Sequence, residues 1–514
     1  MAQLGKPQLQ RETRISRLHL SNFKAFKDKQ NIELLPLTIV AGVNSSGKSA
    51  LLQSLLLAQD TLSSNKLSEQ PLLYSSDRLK FTRFHELIFG KPNRYVKGIG
   101  LGFSMPSKIG NDKARKYFGI QPSTKASSFF ELGIDAQFDY NEGDKTVFVN
   151  RVSLTISEWG QKVAPIVTLL FKPTEQKNKW IIQVTTTSDQ LCAQTPFYPW
   201  ENTEYVTLER FIPLWSARRP SEGSPESRSE IYELYKLFSD FFDRLRTALT
   251  SHLHYVGPLR SAPQNVYVHQ QLSGLQVSSA GEQTIQLLYE NLNTKVDFVK
   301  WSGKDFSLSA LSRSKEPLKD TLGRAFTLLG IEQDLRIKHP GSSSYEADLN
   351  LHHQTRTRVL ISQVGFGISQ ILPIIAVGLL STPGDFLIFE QPEIHLHPRA
   401  QAGLADFLLC LTLTGRQILI ETHSDHLINR IRRRLAEDKE NLLSERVNLF
   451  FVSPPTSVEL GANITTAKFD KYGNIEEWPR GFLAETAYES GAIMDAAMDK
   501  MIAQENHVDP KEKK

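Results

Sequence analysis

The sequence predicts an α/β fold: a mixed sheet built around a glycine-rich strand-to-helix turn, an antiparallel β subdomain beside it, and an inserted short helical subdomain. Three observations predict it. The apolar run Leu37–Ala41 enters a glycine-rich turn and leaves it through Ser49–Gln59, whose leucines occupy most faces of a helix. Two later apolar runs, Asp385–Glu390 and Gln417–Glu421, end in acids, and Asn448–Val452 reads as a third strand. Between these ends, Phe129–Phe138, Thr146–Ile156 and Trp180–Val184 alternate apolar and polar residues, as half-buried antiparallel strands do.

The other elements follow in order. Ile15–Phe23 alternates and reads as a strand. Glu201–Arg228 holds Pro213, Pro220 and Pro225 among serines and charges, which predicts a loop or linker. From Ile231 to Leu249 the apolar residues recur at helical spacing, and shorter helices are expected at Gly281–Asn291 and Pro317–Leu329. No segment sustains the heptads of a long coiled coil. Ala484–Ala503 reads as a terminal helix and the charged His507–Lys514 as disordered. The chain therefore divides at 13–190, 191–330 (linker and helical insertion), 331–482 and 483–514 (helix and tail).

Composition narrows the class. The chain has 514 residues, 40% of them apolar, enough for two or three domains with sizeable cores. Its 60 basic and 56 acidic residues leave a net charge of +4, so no global charge asks for a nucleic-acid partner, although a local basic patch is compatible with one. The longest apolar run, Ile371–Leu380, is far short of the ~20 residues a membrane span needs, and the N-terminus lacks a secretory pattern. Two cysteines, Cys192 and Cys410, build no disulfide framework and suit a reducing, cytoplasmic setting.

Gly42-Val43-Asn44-Ser45-Ser46-Gly47-Lys48-Ser49 satisfies G-x-x-x-x-G-K-[S/T] in full, after a buried strand and before a helix. Glycine lets the backbone of Gly42, Asn44, Ser45, Ser46 and Gly47 wind tightly enough to aim N–H groups at phosphate oxygens. The helix opening through Ala50 adds its positive end. Lys48 then bridges the β- and γ-phosphates of ATP, and the Ser49 hydroxyl ligates Mg²⁺. At the far strand end, Glu390 offers a second Mg²⁺-side group opposite Ser49.

The residues after that strand, Gln391-Pro392-Glu393-Ile394-His395-Leu396-His397-Pro398, resemble the Walker B and D-loop segment of SMC-like ATPases, written D-E-P-E-x-x-L-H-P. Ile420-Glu421-Thr422-His423-Ser424 resembles their switch-histidine loop, which makes His423 the γ-phosphate sensor by resemblance. Two positions depart from the pattern. Glu390 stands for the Mg²⁺-side aspartate, and Gln391 stands for the catalytic glutamate. An amide orients a water but accepts no proton. Glu393 is then the expected general base, with slow hydrolysis, or Glu390 serving both tasks, as the alternatives. His395 and His397 lack further ligands at metal spacing and read better as D-loop contacts.

Val364–Pro373 lies where ABC and SMC proteins carry the signature that opens a helix, though it matches L-S-G-G-Q only loosely. Gly365, Gly367 and Ser369 would there cap the γ-phosphate held by a second subunit. A Q-loop glutamine is not identifiable. With Asn22–Phe26, Tyr255–Arg260 and Gly473–Phe482 added, most of the chain resembles stand-alone ABC/SMC-like ATPase heads related to OLD-family proteins, in a subgroup found in bacterial anti-phage defence operons. The resemblance implies at least a homodimer, extending to a ring such as a hexamer, and a separate Toprim-type nuclease effector released on sensing a phage-encoded trigger protein. It implies no membrane partner, and DNA is compatible but not required. Lys24 and Arg260 read equally as basic groups near the nucleotide or as solvated charges.

Three rival readings share part of this pattern. A RecF- or Rad50-like DNA repair ATPase shares these motifs, but the Rad50 type needs a long heptad insertion. A single-chain OLD nuclease needs a D-x-D pair after His423, where none occurs, so no nuclease activity is expected of this chain alone. An ABC transporter motor would carry L-S-G-G-Q.

Overall fold

The computed structural model describes residues 15–64, 70–76, 78–90, 98–108, 129–158, 165–176, 179–186, 200–215, 225–270, 278–301, 310–341, 343–350, 357–455, 460–470 and 472–475, with 494 and 497–498 besides. Its centre is a six-stranded sheet in the order Leu253–Val256, Phe386–Glu390, Gln417–Glu421, Leu37–Gly42, Val447–Ser453, Asn463–Ala467. The first five strands run parallel and the last returns antiparallel. These strands read as unbroken apolar runs because both faces are covered. Phe386 and Ile388 join one core with the helix Lys48–Ser63, while Leu387 and Phe389 join a second with the helices Phe366–Leu380 and Pro398–Thr412.

The predicted antiparallel region is a nine-stranded sheet among the described residues. It runs Ile212–Trp215, Trp200–Glu209, Lys179–Thr186, Val167–Pro173, Thr146–Glu158, Phe129–Asn141, Ile99–Lys108, Arg17–Ser21, Gln30–Glu33. Its buried face packs on the same core as the helix after the glycine-rich turn, through residues such as Phe103, Leu132, Leu154 and Phe171. Leu51, Leu52, Leu55, Leu56 and Leu57 of that helix are buried. At roughly 1.5–3 kcal/mol per buried leucine, this fixes the turn rigidly between the two sheets.

Two expectations are corrected. Glu201–Arg228 is not simply a linker: it contributes the strands Trp200–Glu209 and Ile212–Trp215 and the start of the helix Pro225–Thr250. Pro213 is tolerated because its strand is the outer edge, where a missing N–H breaks no ladder, and Pro225 opens a helix, where its N–H would be unpaired anyway. The 191–330 region is also not purely helical, since Leu253–Val256 forms the edge of the central sheet and Lys295–Trp301 pairs with Leu311–Pro317. The helices expected at 281–291 and 317–329 are Thr284–Glu290 and Leu318–Leu328. Cys410 is buried in the second core. Cys192, Glu476–Phe482 and nearly all of Ala484–Lys514 lie outside the described residues. Among the described residues no helix is long and apolar enough to cross a membrane.

Candidate functional site

The strand Leu37–Gly42 turns into the helix Lys48–Ser63 through a loop that only glycine permits at two points. Gly42 has φ +149° and a Cβ there would lie 2.3 Å from the Val452 carbonyl oxygen; Gly47 has φ +107° and its Cβ would meet that of Ala25 at 2.5 Å. Ser45 also holds a left-handed φ of 60°. The helix has no side-chain cap, which leaves its first N–H groups available to a ligand. Ser46, 1% exposed, has an enclosed hydroxyl without a partner among the described residues. Lys48 Nζ donates to the carbonyls of Gly42 at 3.1 Å and Val43 at 2.7 Å, and burial lowers its pKa. A tight loop, an uncapped helix start, an orphaned hydroxyl and a lysine folded onto the loop fit a polyphosphate.

The Ser49 hydroxyl donates to Glu421, at 2.9 Å to Oε2 and 3.2 Å to Oε1. Glu390, expected across a bound Mg²⁺ from Ser49, lies one strand further out. The strand Gln417–Glu421 lies between the Glu390 strand and the phosphate-loop strand, so its terminal carboxylate is the nearer one. Glu390 and Glu421 are register partners, side by side at the sheet edge. Burial, and then the charge of Glu390, push Glu421 up to about 7. Tyr255 donates to Glu390 Oε2 at 2.7 Å from the neighbouring edge strand, and burial followed by the Glu390 charge drives that phenol pKa far upward. Two adjacent carboxylates beside a serine hydroxyl form a donor set suited to Mg²⁺. Glu421 was visible as an acid ending a buried strand, but its place beside Ser49 depends on strand order. Nothing in the sequence marks Tyr255 as the partner of Glu390.

Beyond Glu390 the chain turns sharply. Gln391 has φ 44° and donates its N–H to the Glu421 carbonyl at 2.8 Å. Glu393, the expected base, is turned inward: it is 7% exposed and its Oε1 accepts the His423 backbone N–H at 2.7 Å. Burial raises its pKa. In this geometry Glu393 props the histidine loop. His423 follows the strand Gln417–Glu421, which pairs with the phosphate-loop strand, and its side chain is largely exposed; partial desolvation and then the charge of Lys48 lower its pKa.

Gly365 is the N-cap of the helix Phe366–Leu380, so the signature segment opens a helix as expected. Ser369 bonds the Phe366 carbonyl at 2.7 Å, and a Cβ on Gly367 would meet the His395 carbonyl oxygen at 2.9 Å. The segment therefore seats on the turn at His395, with Phe366 56% exposed at its tip. His397 caps the helix Pro398–Thr412 by accepting from the Arg399 N–H at 3.3 Å. Lys24, at φ 50°, donates to Gln53 at 2.6 Å and lies 4.6 Å from the Phe81 ring centre, in the turn that packs on Gly47 through Ala25.

Residues 17–182 match a family model described as an AAA domain, and residues 276–428 match one described as an AAA ATPase domain. No protein of curated function is similar in sequence. Solved structures similar to the chain include an SMC head bound to the C-winged helix domain of ScpA, at TM-score 0.42 and 12% identity over 89% of this chain and 98% of that one. The SMC head domain from Thermotoga maritima aligns at TM-score 0.33 and 10% identity over 88% of this chain and 99% of that one. The Smc head with an extended coiled coil from Pyrococcus furiosus, bound to the C-terminal domain of ScpA, aligns at 0.37 and 12% over 88% and 96%. One AAA-type segment carries the phosphate loop and the other carries the Glu390 and His423 strand ends, so the two matches fall on the two parts of the candidate site.

Proposed function

We propose that the chain is an Mg²⁺-dependent, SMC-like ATPase that closes on nucleotide as at least a homodimer. The observation that carries this reading is Ser49 bonded to Glu421, with Glu390 alongside and Lys48 one residue away on the same loop. The amides of residues 42–49 and Lys48 would hold the phosphates of ATP, and Ser49 with Glu421 would hold Mg²⁺. Bound Mg²⁺ supplies charge neutralisation for the phosphates. Glu390, one strand further out and steadied by Tyr255, is the carboxylate left to accept the proton of the attacking water, while Gln391 orients that water. Glu393 positions the His423 loop.

The exposed Phe366 and the open space around Gly365 at the start of its helix support a second protomer facing that end. Sedimentation velocity of the full chain tests this. Mg²⁺ with a non-hydrolysable ATP analogue is expected to raise the assembly mass by at least twofold, and Lys48→Ala to abolish the change. An unchanged mass with saturating analogue would remove the nucleotide-linked dimer.

At a finer level, the order of motifs and the Gly473–Phe482 segment resemble AriA, the ATPase of the PARIS anti-phage system. On that resemblance the chain senses a phage-encoded trigger and holds a separate Toprim-type nuclease, AriB-like, until triggered. Copurification of such a nuclease with the chain, and its release by phage protein, would support this role. Tight, salt-dependent DNA binding by the chain alone would favour the RecF-like repair reading.

A further inference from the structure

Arg260 sits where three segments meet. It is 8% exposed, and its Nη2 donates to the carbonyls of Glu390 and Gln391, each at 3.0 Å. Its own carbonyl and that of Ser261 take long bonds of 3.5 and 3.4 Å from the Gln370 amide, near the start of the helix Phe366–Leu380. Its Nε and Nη1 are enclosed and have no hydrogen-bond partner among the described residues. Glu393 has the complementary deficit. Oε1 carries the His423 N–H, while Oε2 is enclosed and has no hydrogen bond of normal geometry among the described residues, the Thr422 hydroxyl and the residue's own N–H acting on the carboxyl more weakly. Glu393 comes two residues after Gln391, whose carbonyl Arg260 holds, and no bond joins the two side chains; burial lowers Arg260 to about 10, with the charge of Glu393 the first influence opposing that fall.

A buried guanidinium with idle N–H groups beside a buried carboxyl with an idle oxygen is costly on both sides. One movement cures both: Arg260 Nε or Nη1 closing on Glu393 Oε2. The backbone that would move is already strained, because Gln391 at φ 44° and His395 at φ 64° bracket Glu393. Since Glu393 also carries the His423 amide, any shift of its carboxyl reaches the histidine loop.

We infer that Arg260 is a positioning residue for ATP hydrolysis, tying the first turn of the Phe366–Leu380 helix and the Glu390–Gln391 turn to the His423 loop through an ion pair with Glu393 that closes in the working site. This rests on the ATPase reading above. It gives the chain an internal link between the end that faces a second protomer and the end that faces its own nucleotide.

A mutant cycle on the full chain tests it: wild type, Arg260→Met, Glu393→Gln and the double variant, with kcat, KM for ATP and melting temperature measured on each. Arg260→Met is expected to lower kcat at least about tenfold while KM changes less than about threefold, and Arg260→Lys to restore part of kcat. The double variant is expected to match Arg260→Met within about twofold, because the partners act as one unit. Single losses that multiply in the double variant, or a loss confined to KM, would overturn the inference. If Arg260→Met does not fold, Arg260→Lys replaces it in the cycle under the same criterion. If the wild type hydrolyses no ATP, the ATPase reading fails, and the melting temperatures still decide the pair: non-additive shifts support the contact and additive shifts refute it.

Discussion

Ser49 and Glu421, 372 residues apart in sequence, meet through a 2.9 Å hydrogen bond at the C-terminal edge of the central sheet. The carboxylate is held near neutral pKa by burial and by Glu390, so it gains most from a divalent cation that would keep it ionised. Glu421→Gln is therefore expected to raise the Mg²⁺ concentration needed for half-maximal ATPase activity by at least about tenfold. A Mg²⁺ titration of both proteins checks this, and an unchanged midpoint would return the metal-side role to Glu390 alone.

Gly47 predicts a fold-level penalty that Gly365 does not. Alanine at 47 would need φ +107° and would drive its Cβ to 2.5 Å from Ala25, whereas a Cβ at 365 meets nothing within 4 Å. Gly47→Ala should cost on the order of 1–3 kcal/mol in urea unfolding and abolish ATP binding, while Gly365→Ala should stay within about 1 kcal/mol of wild type. Equal stability of the two variants would contradict this reading of the loop.

Asp385 predicts an acid limit. It accepts from His252 Nδ1 and from the Thr382 N–H, each at 2.6 Å, and lies 3.5 Å from His254 Nε2. Burial alone would raise its pKa; the bonds from His254, the Thr382 amide and His252 outweigh burial and hold it at about 2. A depressed carboxyl stabilises the fold above its unfolded value, near 3.8, and that contribution is lost as pH falls through about 2. Asp385→Asn should cost about 2 kcal/mol at pH 7, with the gap to wild type closing between pH 4 and 2 in denaturant titrations.

Much of this architecture was legible because local signals agreed with one another. Leu37–Ser49 carries strand, glycine turn and leucine-rich helix in one stretch, and the alternation of Phe129–Ile156 predicted its sheet. What escaped depended on which strands lie side by side. Glu421 was seen as a strand end, but only the insertion of its strand between those of Glu390 and Gly42 puts it on Ser49. Glu393 has the right chemistry for a base, but a turn with two left-handed residues points it at the His423 amide. The prolines of Glu201–Arg228 suggested a linker because an edge strand and a helix start, where proline is harmless, look the same as a loop in one dimension.

Calorimetric titration of the full chain with Mg²⁺ and a non-hydrolysable ATP analogue tests the nucleotide site most directly. The expected result is one analogue bound per chain, with affinity weakened roughly 100-fold or more by Lys48→Ala, which removes the loop's charge-assisted bonds to phosphate. Absence of binding to the wild type, or equal binding to Lys48→Ala, would contradict the account.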